Sequence, residues 1–553
     1  MTNGTKVQII PLGGVGEIGK NMFVVQCRED ILIMDGGLKF PEDEMLGIDF
    51  VIPNISYLVE NQKKIKGMVL THGHEDHIGA IPFILKQISM PIFGTRLTLG
   101  LLKGKLEEHG LRADLREVKA GDEVTLGRNF KVGFIAMNHS IPDTVALAID
   151  TPLGVIIHSG DFKLDQTPVD GRVTDYQALT DYGRRGVLAL MCDSTNAHRS
   201  GYTASERVVG RTFDAIFNKT RDRIFIATFA SNIHRIQQAF DVAMQYGRKV
   251  TVVGRSMVNN VRVAKELGYL SFPDEIMVEP EEINRYPAHK VLILTTGSQG
   301  EPLSGLARMA NQNHNKLTIV PGDTVILSST PVPGNEKLVN RVIDGLSRAG
   351  ANVISQGIAD VHVSGHASQE ELKLLLNLVR PKYTIPVHGE YRHMTAFSRL
   401  SQEVGVPEEN IFVLSSGDVL EFTKEDAHIA GKVPSGVVLV DGLGIGDVGN
   451  VVLRDRQQLA QDGVLVVVVT IDKSAKAIKA GPDIITRGFV YVRESETLIA
   501  QAAEQVKKSL DTCLKSDHAD WSALKAAAKD TLGSFLYERT KRRPMILPII
   551  MEV

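Results

Sequence analysis

Residues 71–77 read Thr-His-Gly-His-Glu-Asp-His and follow directly on the apolar stretch Ile65–Leu70. Four potential metal ligands thus lie within six residues, at the spacing His-x-His-x-Asp-His, which packing does not explain. Imidazole nitrogens together with a carboxylate suit zinc or manganese better than calcium or magnesium. If His72 and His74 alternate along the end of a strand, both side chains project to one side. Asp76 and His77 then lie in the following turn and can reach a second ion about 3.5–4 Å away, as in two-metal hydrolases.

Two coordination shells need more ligands than this stretch supplies. Three isolated residues elsewhere in the chain each follow a short apolar run and stand beside Gly or Ser: His139 after Phe130–Ala136, Asp161 after Gly154–Ile157, and His388 after Tyr383–Ile385. That position is typical of a ligand at the C-terminal end of a strand. Each residue alone is more typical of a satisfied polar side chain, but beside the cluster at 71–77 the metal-ligand interpretation is favoured.

This set of residues resembles the metallo-β-lactamase superfamily, whose fold is an αββα sandwich with a dinuclear metal site at one edge. The resemblance implies two ligand sets: His72, His74 and His139 for one ion, and Asp76, His77 and His388 for the other. It also implies that Asp161 bridges the two ions. Asp35 follows Ile31–Met34 and matches an earlier acidic position of the superfamily. The role implied for Asp35 is to orient ligands rather than to coordinate; an ordinary turn residue is the alternative.

The composition is that of an ordinary soluble globular protein. A chain of 553 residues is too long for one core and indicates two to four domains. No apolar stretch approaches twenty residues, and the polar N-terminus lacks a signal-peptide pattern, so we expect no membrane span. Three distant cysteines indicate a reducing cytoplasm rather than a disulfide framework. With a net charge of −3, an enzyme acting on nucleic acid must concentrate positive charge, metals included, in a cleft.

The pattern of apolar segments divides the chain into parts. The first part predicts many short strands with glycine turns, and from Ser205–Asn218 onward strands alternate with helices, as in a parallel sheet covered on both faces. Because His388 returns to the first site, the alternating part must be an insertion. The glycine-rich stretch Gly431–Asp455 predicts a connector. A last part is predicted to contain strands Val464–Ile471, Arg487–Tyr491 and Met545–Glu552 and helices Glu496–Lys515 and Trp521–Glu538.

The predicted domain limits follow from these breaks. The first domain comprises residues 1–205 and 359–435, and the inserted domain comprises residues 206–358. Residues 436–460 are predicted as a linker and 461–553 as a small α+β domain. The glycine motif at 14–19 matches the dinucleotide fingerprint G-x-G-x-x-G, but Asn21–Gln26 and Ile31–Met34 predict a hairpin where that fingerprint requires a helix. We therefore interpret the motif as a glycine turn and not as a nucleotide site.

Motifs after residue 190 make the resemblance specific to one branch of the superfamily. They occur in the order Met191-Cys192-Asp193-Ser194-Thr195-Asn196, the inserted α/β segment, residues 362–368 (His-Val-Ser-Gly-His-Ala-Ser), and residues 386–390 (Pro-Val-His-Gly-Glu). Together they resemble the β-CASP branch of the superfamily, whose members cut nucleic acids. Residues 12–21 and the small last domain make the chain similar to the bacterial ribonuclease J family over essentially its whole length. The resemblance implies a parallel β-CASP domain inserted into the sandwich.

Phosphodiester hydrolysis needs a nucleophile, neutralisation of the developing charge and a proton for the leaving oxygen. Two bound ions can meet the first two needs. Metal-bound histidines cannot supply the proton, because coordination occupies their acceptor nitrogen. His366, which is not a ligand, is the candidate general acid, and Asp193 could hold it charged and oriented. Asp76 could, besides coordinating, align the nucleophile.

Two loops are candidates for contact with RNA phosphates. Loop 362–368 offers backbone N–H groups and hydroxyls, which predicts a phosphate nest formed by His362, Ser364, Gly365, His366, Ala367 and Ser368. The resemblance implies that it holds phosphates near the scissile bond or at the 5′ end. Ser231 and Asn232 lie at a strand-to-helix turn whose N-terminus could face an anion. Ordinary helix capping is the alternative for these two residues.

These observations predict a cytoplasmic, metal-dependent ribonuclease of RNA maturation and decay, including rRNA processing and mRNA decay. The resemblance alone implies 5′-to-3′ trimming with a 5′-monophosphate preference, internal cutting, and a homodimer or homotetramer, with other RNA-decay proteins as further partners. Two divalent ions per subunit are expected, with zinc as the first choice and manganese as the alternative. The rival interpretations are a DNA nuclease or lactonase of the same fold, and a catalytically weak RNA-binding or scaffolding paralogue. The retained ligands and acid argue against the paralogue.

Overall fold

The computed structural model describes residues 4–332, 334–442, 444–472, 474–490, 495–516 and 520–553. These residues form two compact units. The first contains the chain up to Phe40 together with Phe50–Val438, and the second contains Pro41–Asp49 together with Leu439–Val553. Each unit has its own apolar core, and each is described by itself below.

Short strands dominate the first 205 residues, as the sequence predicts. The strands are β1 Val7–Gly13, β2 Met22–Cys27, β3 Asp30–Met34, β4 Phe50–Pro53, β5 Ile65–Val69, β6 Pro91–Gly94, β7 Asp114–Glu117, β8 Glu123–Leu126, β9 Phe130–Ala136, β10 Val145–Thr151, β11 Gly154–His158 and β12 Val187–Asp193. The helices are α1 Ser56–Glu60, α2 Glu75–Ile78, α3 Ile81–Leu85, α4 Arg96–Glu108 and α5 Tyr176–Arg185. Strands β2 and β3 pair as the predicted hairpin after the glycine turn, so no helix follows that turn.

Strands alternating with helices form the inserted segment. Its elements are α6 Arg207–Lys219, β13 Ile224–Ala227, α7 Ile233–Gln245, β14 Lys249–Val253, α8 Arg255–Glu266, β15 Val291–Thr295, α9 Gly305–Ala310, β16 Thr324–Leu327, α10 Glu336–Arg348 and β17 Asn352–Ile354. The five strands form one parallel sheet in the order β14-β15-β13-β16-β17. Every residue of β13 and β15 is buried, because helices cover both faces of such a sheet.

After the insertion the chain returns to the sandwich. It adds α11 Gln369–Val379, β18 Pro381–Val387, α12 Tyr391–Glu403, β19 Asp418–Phe422 and β20 Ala427–Lys432. One sheet then has the order β20-β19-β1-β2-β3-β5-β6-β7, and the other has the order β18-β12-β11-β10-β9-β8. Short 3-10 turns span Gln62–Lys64, Asp274–Ile276, Ile283–Arg285, Ala288–Lys290 and Glu408–Asn410.

The six-stranded sheet separates two apolar cores. In β10, Val145 and Leu147 join the core shared with the eight-stranded sheet, whereas Ala146 and Ala148 face a second core with α5, α11 and α12. This alternation follows from the two-residue period of a strand. The sandwich with an inserted parallel α/β domain, expected from the resemblance, is confirmed.

Strand register places the functional loops at one edge of the sandwich. Strands β12 and β18 are parallel with Asp193 opposite Val387, so His388 emerges beside Asp193. Strands β3 and β5 are parallel with Met34 opposite Val69, so Asp35 emerges beside the loop that begins at residue 70. Since parallel strands end at the same edge, residues distant in sequence meet there.

The second unit is a small α+β domain. It contains α13 Asn450–Asp462, β23 Val464–Asp472, β24 Ala477–Arg487, α14 Glu496–Leu514, α15 Trp521–Thr540 and β25 Met545–Glu552, preceded by β21 Val437–Asp441 and β22 Gly444–Ile445. The sheet order is β24-β23-β25. One face of the sheet packs on α14 and α15, where alternate residues of β23 from Leu465 to Ile471 are fully buried.

Three sequence predictions differ from the structure. His72 and His74 do not lie on a strand, because β5 already ends at Val69. Residues 436–460, predicted as a linker, contain two strands and most of a 13-residue helix, whose polar composition conceals it. The predicted strand Arg487–Tyr491 is misplaced, because β24 ends at Arg487; Tyr491 lies outside the described residues. Within the described ranges, no helix has the length and apolar character to cross a membrane.

Candidate metal centre

Loops at the C-terminal ends of five strands supply the polar side chains at this edge. His72 and His74 follow β5, His139 follows β9, Asp161 follows β11, His388 follows β18 and Asp35 follows β3. Helix α2 begins at Glu75, so Asp76 and His77 lie in its first turn. Asp35 and His388 adopt left-handed backbone conformations, with φ of 58° and 51°, which end their strands abruptly and turn the side chains inward.

The first ligand group contains three imidazoles and one carboxylate. His74 Nδ1 lies 3.1 Å from His72 Nε2 and 3.2 Å from His139 Nε2. Asp161 Oδ2 lies 3.8 Å from His72 Nε2 and 3.9 Å from His139 Nε2. Two imidazoles on one tetrahedral zinc ion, each at about 2.0–2.1 Å, stand roughly 3.3 Å apart. The ring nitrogens therefore have the separations that a shared ion requires.

The second ligand group contains two imidazoles and two carboxylates. His77 Nε2 lies 3.2 Å from Asp161 Oδ2, and His388 Nε2 lies 3.1 Å from Asp76 Oδ2. His388 Nδ1 lies 2.8 Å from Asp161 Oδ1. In each group the potential ligand atoms lie within 4.8 Å of one another, and Asp161 belongs to both. A carboxylate common to two such groups has the arrangement of a bridging ligand.

Charge divides the histidines into two classes. Burial and neighbouring imidazoles lower the pKa of His72 and His139, and burial lowers the pKa of His74 to about 4. Burial also opposes charge on His388, but Asp161 and Asp76 outweigh it and raise its pKa to about 10. His77 shows the same balance: Asp161, Asp76 and Asp35 raise its pKa despite burial. The nearby carboxylates therefore favour positive charge at His77 and His388.

The donor set fits divalent metal ions. His74 Nδ1 lies 3.1 Å from His72 Nε2 and 3.2 Å from His139 Nε2, and a single proton on it could be directed at only one of these two nitrogens. A cation among the three nitrogens would interact favourably with all of them. His388 Nε2 is buried and makes no hydrogen bond, although it faces Asp76. A buried polar atom without a partner is costly, and coordination would satisfy it. Nitrogen and carboxylate ligands of this kind favour zinc, with manganese also accepted.

Asp35 orients one of these imidazoles. His77 Nδ1 donates to Asp35 Oδ2 at 2.8 Å, which leaves His77 Nε2 directed at Asp161. Thr71 donates to the same carboxylate from its backbone N and its Oγ1, both at 2.8 Å. Thr71 is not among the residues predicted from sequence to be functional, and only its position directly before His72 marks it there.

The backbone after β3 packs closely against the first turn of α2, which carries Asp76 and His77 of the second group. A Cβ atom at Gly37 would lie 1.6 Å from the carbonyl oxygen of Asp76. The Gly36 N–H donates to His77 O at 2.7 Å, and the Asn21 N–H donates to Asp76 O at 3.0 Å. Only glycine therefore allows the strand end after β3 to approach the first turn of α2.

His366 lies beside the second ligand group. Its Nδ1 donates to Asp193 Oδ2 at 2.8 Å. Asp193 is fully buried, and its other oxygen accepts from the Thr195 N–H at 2.9 Å. Burial lowers the pKa of His366, but the Asp193 carboxylate outweighs it and the net pKa is raised. His366, Asp193, Asp161 and His388 form a third group of neighbouring side chains.

Loop 362–368 is held by hydrogen bonds that the sequence did not reveal. Its Gly365 carbonyl accepts from His139 Nδ1 at 2.8 Å, which connects the loop to the first ligand group. Asn196 donates to Ser364 Oγ at 2.8 Å and to the His366 carbonyl at 3.0 Å. Thr203 Oγ1 also donates to that carbonyl at 2.7 Å.

Several residues predicted to bind phosphate are buried or form hydrogen bonds within the protein. Asn232 is buried and caps α7 by accepting from the Arg235 N–H at 3.1 Å, which is the capping alternative. Ser368 and Ala367 are buried, and the Ser368 hydroxyl contacts Thr203. Ser231 is only half-buried and lines a cleft of about 580 Å³ that Gly73, Glu75 and residues of α4, α8 and α9 also line.

Family comparisons cover nearly the whole chain. Residues 15–226 match the metallo-beta-lactamase superfamily, and residues 221–346 match the beta-CASP domain of ribonuclease J. Residues 350–414 match a Zn-dependent metallo-hydrolase RNA specificity domain, and residues 451–553 match the ribonuclease J C-terminal domain.

Whole-chain relatives agree with these matches. Ribonuclease J2 of Bacillus subtilis (strain 168) is 50% identical over 100% of this chain and 99% of its own length. Ribonuclease J 1 of Streptococcus pyogenes serotype M3 is 46% identical over 99% of this chain and 98% of its own, and ribonuclease J of Thermus thermophilus is 46% identical over 99% and 95%. A crystal structure of a protein of unknown function from Enterococcus faecalis V583 shares the fold, with a TM-score of 0.54 at 13% identity over 76% of this chain and 100% of that one. The chain therefore belongs to the ribonuclease J family of the metallo-β-lactamase superfamily.

Proposed function

We propose that this protein hydrolyses phosphodiester bonds of single-stranded RNA, trimming 5′-monophosphorylated ends in the 5′-to-3′ direction and also cutting internally. The observation that carries the proposal is the meeting of two metal-binding groups with a non-ligand His–Asp pair at one edge of the sandwich. Membership in the ribonuclease J family and the match to an RNA specificity domain support RNA as the substrate. Its cellular roles would be RNA maturation and decay, including rRNA processing and mRNA decay.

The proposed ligand assignment follows the two groups. His72, His74 and His139 would hold one ion, Asp76, His77 and His388 would hold the other, and Asp161, which belongs to both groups, would be shared between them. When bound, the ions supply an activated water nucleophile and positive charge beside the reacting phosphate. Asp35 accepts a hydrogen bond from His77 Nδ1. This contact fixes the ring proton on Nδ1 and leaves Nε2 free to coordinate.

The proposed general acid is His366. Asp193 accepts from its Nδ1, so the proton that can reach a leaving oxygen is the one on Nε2. The buried carboxylate favours the imidazolium form, which an acid needs at neutral pH. Asp76, which belongs to the second ligand group, can also align the attacking water.

Loop 362–368 is the proposed phosphate-binding element, and Ser231, which lines the cleft of about 580 Å³, is proposed as a further contact to RNA. The loop is tied to the metal centre through His139 and to the acid through His366, so a phosphate held there lies near both. Asn232 would contribute to phosphate binding indirectly, because it caps α7, the helix whose N-terminus could face an anion. Binding of a 5′-monophosphate at this loop would explain the proposed preference for 5′-monophosphorylated ends.

The exposed sheet face of the second unit supports a homodimer or homotetramer. On that face Val466 lies between Ile485 and Leu547, and Val468 lies beside Ile549. Ile485, Leu547 and Ile549 are about half exposed, which is unusual for adjacent apolar residues of a sheet. We propose that a second copy of the chain covers this face. A cytoplasmic location and association with other RNA-decay proteins are further parts of the proposal.

Three RNA substrates test the proposed activity. The purified protein, with its metal content measured, is incubated with the same single-stranded RNA as a 5′-monophosphate, as a 5′-triphosphate and as a circle. Monophosphorylated RNA should release mononucleotides fastest, and the circle should be cut because it has no end. Single-stranded DNA and a lactone distinguish the rival enzymes of this fold. A His388→Ala variant is the control, and RNA cleavage equal to that of His388→Ala would contradict the proposal.

A further inference from the structure

Arg235 is the largest fully buried side chain among the described residues. It lies in the first turn of α7, and all five of its guanidinium N–H groups have acceptors. Nε and Nη2 donate to the two oxygens of Glu206 at 2.8 and 2.9 Å. Nη1 donates to the Ser328 carbonyl at 2.8 Å, and Nη2 donates to the Val363 carbonyl at 3.3 Å. Burying a guanidinium is costly, and this complete pairing offsets the cost.

The fifth contact distinguishes Arg235 from a purely structural ion pair. Arg235 Nη1 lies 2.7 Å from His362 Nδ1. A guanidinium can only donate, so Nδ1 must be the acceptor and the His362 ring must carry its proton on Nε2. His362 is thereby a neutral ring with one fixed donor at the start of loop 362–368.

The charged groups around His362 reinforce this state. Burial lowers its pKa most, and the cations Arg235, Lys163 and Arg199 lower it further, to about 2, whereas the Ser328 carbonyl acts in the opposite direction. Glu206 faces Arg235 and lies 4.0 Å from Lys163, so its charge is shared between those two cations. His362 therefore stays uncharged throughout the physiological pH range.

We infer that Arg235 is a positioning residue that holds His362 as a neutral Nε2–H donor for an RNA phosphate and fixes the start of loop 362–368. The inference rests on the proposed function and deepens it: the phosphate subsite uses a donor whose strength does not change with pH. A free histidine there would titrate near its ordinary pKa of about 6.5 and bind phosphate more tightly as the pH falls.

The test compares KM and kcat for 5′-monophosphorylated RNA from about pH 5.5 to 8.5. The main variant is R235M/E206Q, because removing both charges avoids leaving a buried carboxylate unpaired. We expect its KM to rise roughly 10- to 100-fold at the alkaline end, and to recover at the acid end as the released His362 gains a proton, while kcat changes little. Adding H362Q should abolish that new pH dependence, because glutamine does not ionise. R285M/E282Q, an exposed arginine–glutamate pair, is the matched control and should leave KM unchanged.

The possible outcomes distinguish a role of Arg235 in positioning His362 from a role in stabilising the fold alone. A folded R235M/E206Q protein whose KM follows the wild-type pH profile, with only a lower melting temperature, would overturn the inference. If that variant does not fold, two substitutions of His362 decide. H362Q, whose neutral amide can accept from Arg235 and donate to a phosphate, should keep KM near the wild-type value, whereas H362L, which can do neither, should raise KM at unchanged kcat. A wild-type KM for H362L overturns the inference. If the wild-type protein cleaves no RNA, the proposed function fails instead. In that case the binding of 5′-monophosphorylated RNA by the wild-type protein and by R235M/E206Q is measured in EDTA across the same pH range. If the two proteins show the same pH dependence of binding, the inference about Arg235 is overturned independently of the proposed function.

Discussion

Replacing Asp193 with Asn removes the charge beside the proposed acid while preserving the size of the side chain. The carboxylate oxygen lies 2.8 Å from His366 Nδ1, and Asp193 is fully buried, so bulk water does not replace the lost interaction. A hydrogen bond of this kind to a charged group contributes about 1.5–3 kcal/mol. If that energy keeps His366 protonated and oriented at neutral pH, its loss should lower kcat there roughly 10- to 150-fold.

The pH profile should change in a definite direction. Burial lowers the pKa of His366 and Asp193 raises it, with a raised pKa as the result. An acid must be protonated, so activity declines as the pH rises through its pKa. Without the Asp193 charge the pKa falls, and the alkaline limb of the kcat profile should move to lower pH.

A double-mutant cycle makes the test decisive. H366A should lower kcat by roughly 10²–10⁴ with the metal content intact, and adding D193N to it should have little further effect, because both act through one proton. D426N/H428A alters an exposed aspartate–histidine pair 3.4 Å apart and serves as the control. If D193N keeps the wild-type profile, or if the two effects multiply, Asp193 does not act through His366 and the assignment is wrong.

Four further predictions follow from single contacts. Asp161→Asn should reduce bound metal, measured by elemental analysis, from about two ions per chain to one or fewer, because Asp161 belongs to both ligand groups; retention of two ions would exclude it as the bridge. Gly37→Ala should lower both metal content and melting temperature, because its Cβ would meet the Asp76 carbonyl at 1.6 Å, whereas Gly357→Ala, with nothing within 4 Å, should change neither. Burial opposes charge on Asp30, but hydrogen bonds from the Arg128 N–H and the Asn129 side chain, together with Lys66, outweigh it and lower the pKa of Asp30. Because that carboxylate stabilises the fold above its unfolded pKa of about 3.9 and loses this effect as the pH falls from there through its lower folded pKa, Asp30→Asn should lower the free energy of unfolding by about 1–3 kcal/mol at neutral pH. The difference should shrink in denaturant titrations only as the pH falls below about 3.9. Ile549→Asp should shift the molar mass measured by light scattering toward the monomer, and an unchanged mass would show that this sheet face is not the interface.

Much of the fold could be predicted because its signals are local. Strand Phe130–Ala136 and strand Met545–Glu552 occupy the predicted residues, since short apolar runs between turns are visible in sequence. Helix Asn450–Asp462 was missed because most of its apolar residues are clustered at its start, at Val451–Leu453, and it follows a glycine-rich stretch, so no clear apolar period of 3.6 residues marks it. The end of β24 was misplaced because strand limits depend on pairing with β23, which is not a local property.

The sequence alone determined which chemistry this protein can perform. The spacing of histidines and aspartates at 71–77 and the isolated His139, Asp161 and His388 require only residue identities and short apolar runs. The tertiary structure decided which atoms meet: His77 with Asp35, His139 with the Gly365 carbonyl, and His362 with Arg235. These contacts arise where parallel strands end at one edge, and the register between strands far apart in the chain is a property of the assembled core. Proton positions and charge states follow from those contacts, because burial and neighbouring charge have no counterpart in a linear sequence.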